Sequence, residues 1–313
     1  MKKPGGRLLV AGAGGFLGTT FTREAIAAGR TVAGAFYTRQ PADSRTLARV
    51  VNVDLSRPAA ARALLRDVKP AWVVNCAGFT SVDDCERDPE RARLLNVELP
   101  QALATACAEV GAGLVHFSTD SVFDGNRGNY TEDDAPSPLN VYARTKLEGE
   151  RAAIDALPDT LVIRTNFIGL SPARRTGLAD WLAGSFESGQ RISGFTDCVF
   201  APLLANDLAR TTMEMMTLGL YGLYHLAASD SSSKYEFARL LGAALGCDSD
   251  LVTPACVTTA GFVASRPLNT SLSPSRAESA LGRRMASVSD AVAGYVALRK
   301  ARGPAAINQP AEA

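Results

Sequence analysis

What most constrains the fold of this chain is an alternation. Strand-length apolar runs take turns with helical patterns: RLLVAG, GTTFTREAIAAG, TVAGAFY, PAAARALLRDV, AWVVNCAG, ERARLLNVELPQALATACAEVG and GLVHFSTD follow one another from Arg7 to Asp120. The strand runs are continuously apolar rather than alternating, so both of their faces must be covered. With helices between them, they form a parallel, doubly wound sheet. A further helix and strand follow in YARTKLEGERAAIDA and TLVIRTNFIG. Beyond Leu170 the pattern loosens: WLAGSF is helical, GLYHLAA strand-like, and SSKYEFARLLGAALG an amphipathic helix with a Ser-rich start.

Composition removes several classes of function. With 33 Lys and Arg against 32 Asp and Glu, the net charge is +1, and like charges form no long run, so neither nucleic acid nor a membrane surface is an expected partner. The opening MKKPGGRLLVAGAGGFLG has the basic front and apolar stretch of a signal peptide. Glycines interrupt it from Gly12 to Gly18 and no A-x-A site follows, so none is expected. Six scattered cysteines without a C-x-x-C pair read as reduced, mostly buried thiols in a cytoplasmic protein. The two histidines, His116 and His225, sit inside apolar strand-like runs, so a histidine-based metal site is not expected and no metal is assigned.

The first strand runs into Gly12-Ala-Gly-Gly15-Phe-Leu-Gly18 and then a helix. This G-x-x-G-x-x-G spacing in a strand, turn and helix is the context of a dinucleotide site. Gly12 permits the tight turn, Gly15 lets backbone approach a pyrophosphate, and Gly18 lets helix and strand pack closely. The expected fold class is therefore α/β, a Rossmann-type doubly wound parallel sheet with a smaller mixed α/β C-terminal domain for substrate. Residues 1–168 are expected to form the dinucleotide domain, with a segment near 196–225 returning to it; 169–302 form most of the second domain and 303–313 a disordered tail.

The second strand should end near Phe36 and Tyr37, where an NAD-specific protein places an acid for the ribose hydroxyls. Arg39 stands there instead, and an arginine pairs with a 2′-phosphate, so NADP(H) is expected over NAD(H). Asp54 and Leu55 close the third strand, Asn75 to Gly78 the fourth, and the polar burst Ser118–Asp120 the fifth, all on the rim where an open α/β sheet binds ligands. In that burst, Thr119 is read as holding a carbonyl oxygen, and Ser118 and Asp120 as shaping the turn beneath.

Tyr142-Ala-Arg-Thr-Lys146 places a phenol and an ammonium at i and i+4, on one helix face. Lowering a tyrosine pKa by about 3 units takes ~4 kcal/mol, about what one cation at ~4 Å supplies at an effective dielectric of ~20. Lys146 is accordingly expected to make Tyr142 a usable acid near neutrality.

Together with GAGGFLG, VVNCAGFTSVDDCE, STDSVFDG, APSPLNVYARTKLEGE, VIRTN, FAPLLANDLA, GLYHLAASDSSSKYEFA and RPLNTSL, this motif makes the chain resemble an extended short-chain dehydrogenase/reductase. More narrowly, it resembles the dTDP-4-dehydrorhamnose reductase family, from Gly12 to Leu272. The resemblance implies Thr119, Tyr142 and Lys146 as the catalytic trio. For the cofactor it implies Gly12, Gly15, Phe16, Leu17, Gly18 and Arg39, then Asp54, Leu55, Cys76, Ala77 and Gly78, with Tyr142 and Lys146. For a nucleotide-sugar substrate it implies Thr80, Val82, Ser121, Asn166, Phe167, Arg266 and Asn269. Ser121 stands where the family commonly has Tyr, and Asn166-Phe167 where it has Trp; both places lie beside the sugar in the family.

The implied activity is NADPH-dependent reduction of a keto group, most simply at C4, of a nucleotide-activated 6-deoxysugar, in a protein compatible with a homodimer. Three alternatives are weighed against it. A 4,6-dehydratase would want Glu after Asp120, where Ser121 stands. An epimerase that retains NAD would want the acid missing after the second strand. The third is a non-catalytic NADP-binding subunit resembling the regulatory subunit of methionine adenosyltransferase.

Overall fold

The computed structural model describes residues 6–41, 44–171 and 177–302, so the expected tail at 303–313 lies outside the described residues. The first half runs β1 (Leu8–Ala11), α1 (Phe16–Ala27), β2 (Val32–Phe36), β3 (Arg49–Asn52), α2 (Pro58–Val68), β4 (Trp72–Asn75), α3 (Val82–Arg87), α4 (Pro89–Arg93), α5 (Leu99–Val110), β5 (Gly113–Thr119), α6 (Val141–Ala156) and β6 (Thr160–Thr165). Then follow β7 (Phe167–Ile168), α7 (Leu178–Glu187), β8 (Ile192–Phe195), β9 (Val199–Phe200), β10 (Leu203–Leu204), α8 (Ala205–Leu218), β11 (Gly222–Leu226), β12 (Ser232–Ser233), α9 (Lys234–Leu245), β13 (Val252–Ala255), α10 (Ser275–Leu281) and α11 (Val288–Arg302).

Seven strands pair in the order β11-β6-β5-β4-β1-β2-β3, and every neighbour is parallel. The continuous apolar runs have the expected cause. In β1, Leu8 and Val10 enter one core with Phe21 of α1, while Leu9 and Ala11 enter a second with Leu65 of α2 and Leu103 of α5. Strand order departs in two directions from β1, and that switch point opens a crevice beyond the strand C-termini. Near the expected returning segment, α8 packs on α1 and β11 completes the sheet edge beside β6. Outside the large sheet, β8 pairs with β13, β9 with β12 and β7 with β10.

One element differs from its sequence reading. ERARLLNVELPQALATACAEVG is a single helical pattern, yet α4 and α5 are separated by a π-helical turn over Leu94–Glu98. Pro100, in the first turn of α5, has no N–H to give to the preceding turn, and a widened ladder accommodates that loss. The cysteines are all free, as thiols were expected to be, but only Cys85 and Cys107 are fully buried, and Cys256 is exposed.

Candidate active site

At the end of β1 the chain turns through Gly12 at φ 77°. A Cβ on Gly12 would lie 2.7 Å from the Ala77 nitrogen, and one on Gly18 would overlap the Gly12 carbonyl oxygen. Helix α1 starts at Gly15 with no side-chain cap and no acid in its first turn. Such a terminus presents backbone N–H groups and the positive end of the helix dipole to an anion. The turn and helix therefore fit a dinucleotide pyrophosphate. Leu17 is buried in the core, and Phe16 stacks edge-on with Phe167 at 5.4 Å, so Leu17 can serve a ligand only through its backbone.

The loop after β2 lies against this turn, since a Cβ on Gly14 would overlap the Arg39 carbonyl. Arg39 itself is exposed at the rim. Asp54 accepts bonds from the Ser56 nitrogen at 3.1 Å and hydroxyl at 2.6 Å, while Leu55 beside it is buried. Beyond β4, the Asn75 side chain accepts from the Ala77 nitrogen at 3.1 Å. That bond shapes the turn carrying half-buried Cys76 and Ala77 and exposed Gly78 and Thr80.

Helix α6 brings Tyr142 and Lys146 under the end of β5. Asn140 caps it, accepting from the Ala143 nitrogen at 2.8 Å, and the Glu86 carboxylate of α3 accepts from the Val141 nitrogen at 2.7 Å. The π turn supplies Asn96, which bonds both polar atoms of the Phe79 backbone at 2.8 and 3.0 Å and the Thr145 hydroxyl at 3.1 Å. Asn96 thus ties the loop after β4 to α6, and a widened turn at such a place is a recurrent feature of functional sites. Asn140 was legible as a polar cap directly before a helical run; nothing local marked Asn96 except the proline four residues on.

The electrostatics of the trio differ from the expectation. Burial pushes the Tyr142 phenol up to about 12; the Thr119 hydroxyl, hydrogen-bonded to it, pulls the other way, and Asp120 adds to the rise. Lys146 donates its ammonium to the Phe117 carbonyl at 2.6 Å, and burial brings it down to about 8 against the charge of Glu150. Shared helical face therefore does not make Lys146 the group that lowers Tyr142; the lysine turns toward β5 and the threonine faces the phenol.

Asp120, not merely a turn former, is the hub of a polar cluster beyond β5. It accepts from the hydroxyls of Thr119 at 3.1 Å and Ser121 at 3.2 Å. Its second oxygen accepts from the Asn166 amide at 2.9 Å and the Thr270 hydroxyl at 2.8 Å. Ser118 is a correction: it points away from the turn and bonds Glu150, which holds Arg164 in a buried bidentate pair at 2.9 and 2.7 Å.

Arg266 reaches across to α3, pairing with Asp83 at 2.9 Å near Val82, while its Nη1 is buried without a partner. The Ala264 nitrogen also donates to Asp83, at 3.0 Å, and Asn140 donates to the Ser265 carbonyl at 2.9 Å. The segment 264–266 is thereby strapped over the helices that carry the site. Asn269 stands apart, its amide engaged with Arg127 and Ser271. Among the described residues no group of three or more His, Cys, Asp or Glu could hold a metal, and no helix is long and apolar enough to cross a membrane.

Residues 6–300 match the family model of the RmlD substrate binding domain. The chain belongs to this family. A probable low-salt glycan biosynthesis reductase from Haloferax volcanii is 32% identical over 91% of the chain and 95% of its own length. A dTDP-4-dehydrorhamnose reductase from Mycolicibacterium smegmatis is 34% identical over 88% and 80%. The methionine adenosyltransferase 2 subunit beta of Xenopus tropicalis is 33% identical over 88% and 82%. Among solved structures, a dTDP-4-dehydrorhamnose reductase from Clostridium acetobutylicum superposes with a TM-score of 0.81 at 26% identity, over 94% of this chain and 99% of that one. The relatives thus include proteins named as reductases and one named as a methionine adenosyltransferase subunit.

Proposed function

We propose that this protein reduces a keto group, most simply C4, of a nucleotide-activated 6-deoxysugar, with NADPH preferred over NADH. The observation that carries the reading is the meeting of Tyr142, Thr119 and Lys146 at the end of β5, with only β4 between them and the glycine-shaped start of α1. A nicotinamide dinucleotide bound on that turn supplies the hydride. Tyr142, kept protonated at neutral pH by its raised pKa, gives its proton to the oxygen as alkoxide charge develops. Thr119 orients the carbonyl, and Lys146 holds the ribose hydroxyls beside it. Arg39, at the rim where a 2′-phosphate would lie, is the basis of the NADPH preference.

The test is the loss of nicotinamide absorbance from NADPH, with NADH in parallel, against a panel of 4-keto-6-deoxy sugar nucleotides. Oxidation with one of them is expected, and Tyr142→Phe should lower turnover by at least ~100-fold; an unaffected variant overturns the mechanism. The regulatory-subunit reading is favoured by the Xenopus relative. Cofactor binding without oxidation across the panel, with co-purification of a synthetase, would support it.

A further inference from the structure

The substrate side contains a cation that the proposed mechanism does not use. Lys234 opens α9 directly after β12, and its nitrogen donates to the Cys198 carbonyl at 2.8 Å. Its ammonium lies 3.0 Å above the centroid of the Phe200 ring, and that ring is fixed edge-on against Phe237 at 5.3 Å. Among the described residues no carboxylate lies within 4 Å of this ammonium, and none accepts a hydrogen bond from it. A partly buried ammonium is thus held with one aromatic face as its partner. An ammonium has three donors, so this one keeps donors for a ligand, and the cleft is where an acceptor would come from.

A chain of bonds places Lys234 beside the reacting centre. Val199, next to the Cys198 that Lys234 bonds, accepts from the Thr270 nitrogen at 3.0 Å, the Thr270 hydroxyl donates to Asp120 at 2.8 Å, and Asp120 is bonded to Thr119; the charge of Asp120 acts on Lys234 accordingly. The Cys198 thiol donates to the Pro267 carbonyl at 3.8 Å, next to Arg266, whose Nη1 is buried without a partner.

We propose that Lys234 is a substrate-contacting residue whose ammonium binds an oxygen substituent of the reacting sugar ring. The ring is favoured over the diphosphate because Lys234 shares Asp120 with the site of the carbonyl, whereas the diphosphate leaves C1, across the ring from C4. The proposal rests on the sugar-nucleotide reading above. Burial brings Lys234 down to about 8, while Asp120 and Cys198 favour its charged form. The ammonium is therefore present below about pH 8 and lost above it. The groups acting on Lys234 are Asp120 after β5 and the Cys198 thiol before β9; Asp197 and Arg266 act on Cys198 in turn.

The experiment is a binding titration of dTDP-rhamnose, and separately of dTDP, to the NADP-loaded wild type, Lys234→Met and Lys234→Arg. Thermal melting and NADP affinity check that each variant is folded. Lys234→Met is expected to bind dTDP-rhamnose about 10- to 100-fold more weakly, with dTDP unchanged. Lys234→Arg is expected to restore part of the affinity. The wild type should weaken as pH rises through about 8, and this limb should be smaller in Lys234→Arg. Lys146 also titrates near there but is common to both proteins. Unchanged affinity in Lys234→Met, or an equal loss for dTDP and dTDP-rhamnose, overturns the assignment. A wild type that binds dTDP-rhamnose no better than dTDP overturns it together with the sugar-nucleotide reading, which distinguishes that failure from the others.

Discussion

Over β1, β2 and β4 the candidate site is shaped by backbone: glycines at 12, 14 and 18 leave room that a single Cβ would close, and a helix end offers bare N–H groups. Over β5 and β6 it is shaped by side chains. Asp120 gathers Thr119, Ser121, Asn166 and Thr270, while Ser118, Glu150 and Arg164 form a buried seam on another course. A backbone-built region has no rotamer to yield, so it tolerates a substitution or fails. A side-chain network loses its bonds one at a time, and each loss has its own size.

The largest contrast is expected from Gly18→Val. A Cβ there overlaps the Gly12 carbonyl, so the turn itself must shift. A cost of at least ~4 kcal/mol, about a thousandfold in dinucleotide affinity, is expected in a fluorescence titration with NADPH. Gly29→Ala is the control. Its φ of 74° is left-handed, unlike that of Gly18 within α1, but its Cβ would meet nothing within 4 Å, so it should carry only backbone strain and bind NADPH normally. Equal behaviour of the two variants would break the comparison.

Next comes the seam. Glu150→Ala leaves Arg164 buried without its bidentate partner, which should cost about 3–4 kcal/mol in urea unfolding. NADPH affinity of the folded protein is expected to stay near wild type, because the seam does not shape the turn. A large affinity loss at unchanged stability would instead join the two regions.

These two materials also explain what could be read before folding. Glycine spacing is local, so the tight turn at Gly12 and the close packing at Gly18 were legible, as was the period of the apolar runs. Tyr142 and Lys146 were legible as a pair because helical spacing is also local. The direction each side chain takes is not local: Lys146 turns to the Phe117 carbonyl, and Ser118 to Glu150, 32 residues away. Asn96 and Lys234 act only through elements distant in sequence, and no motif of a few residues could carry that.

Arg39→Ala tests the one side chain on which the backbone-built region is proposed to rely. Losing a charge-assisted contact to a 2′-phosphate should weaken NADPH by about 10- to 100-fold and leave NADH unchanged. Equal NADPH and NADH affinities in the wild type would place the preference elsewhere or remove it.

The smallest expected effect lies where the regions meet. Asn140 caps α6 through its carbonyl oxygen and holds the 264–266 strap through its amide. Asn140→Ala removes both and should cost about 1 kcal/mol of stability, the usual worth of an N-cap. Asn140→Asp keeps a capping oxygen but has no donor for the Ser265 carbonyl, so it should recover most of that stability. If the strap matters to the sugar and not to the dinucleotide, both variants should raise KM for the keto sugar while leaving KM for NADPH unchanged. Recovery of both stability and sugar KM in Asn140→Asp would mean that the cap alone matters, and that the strap is held over the site by Asp83.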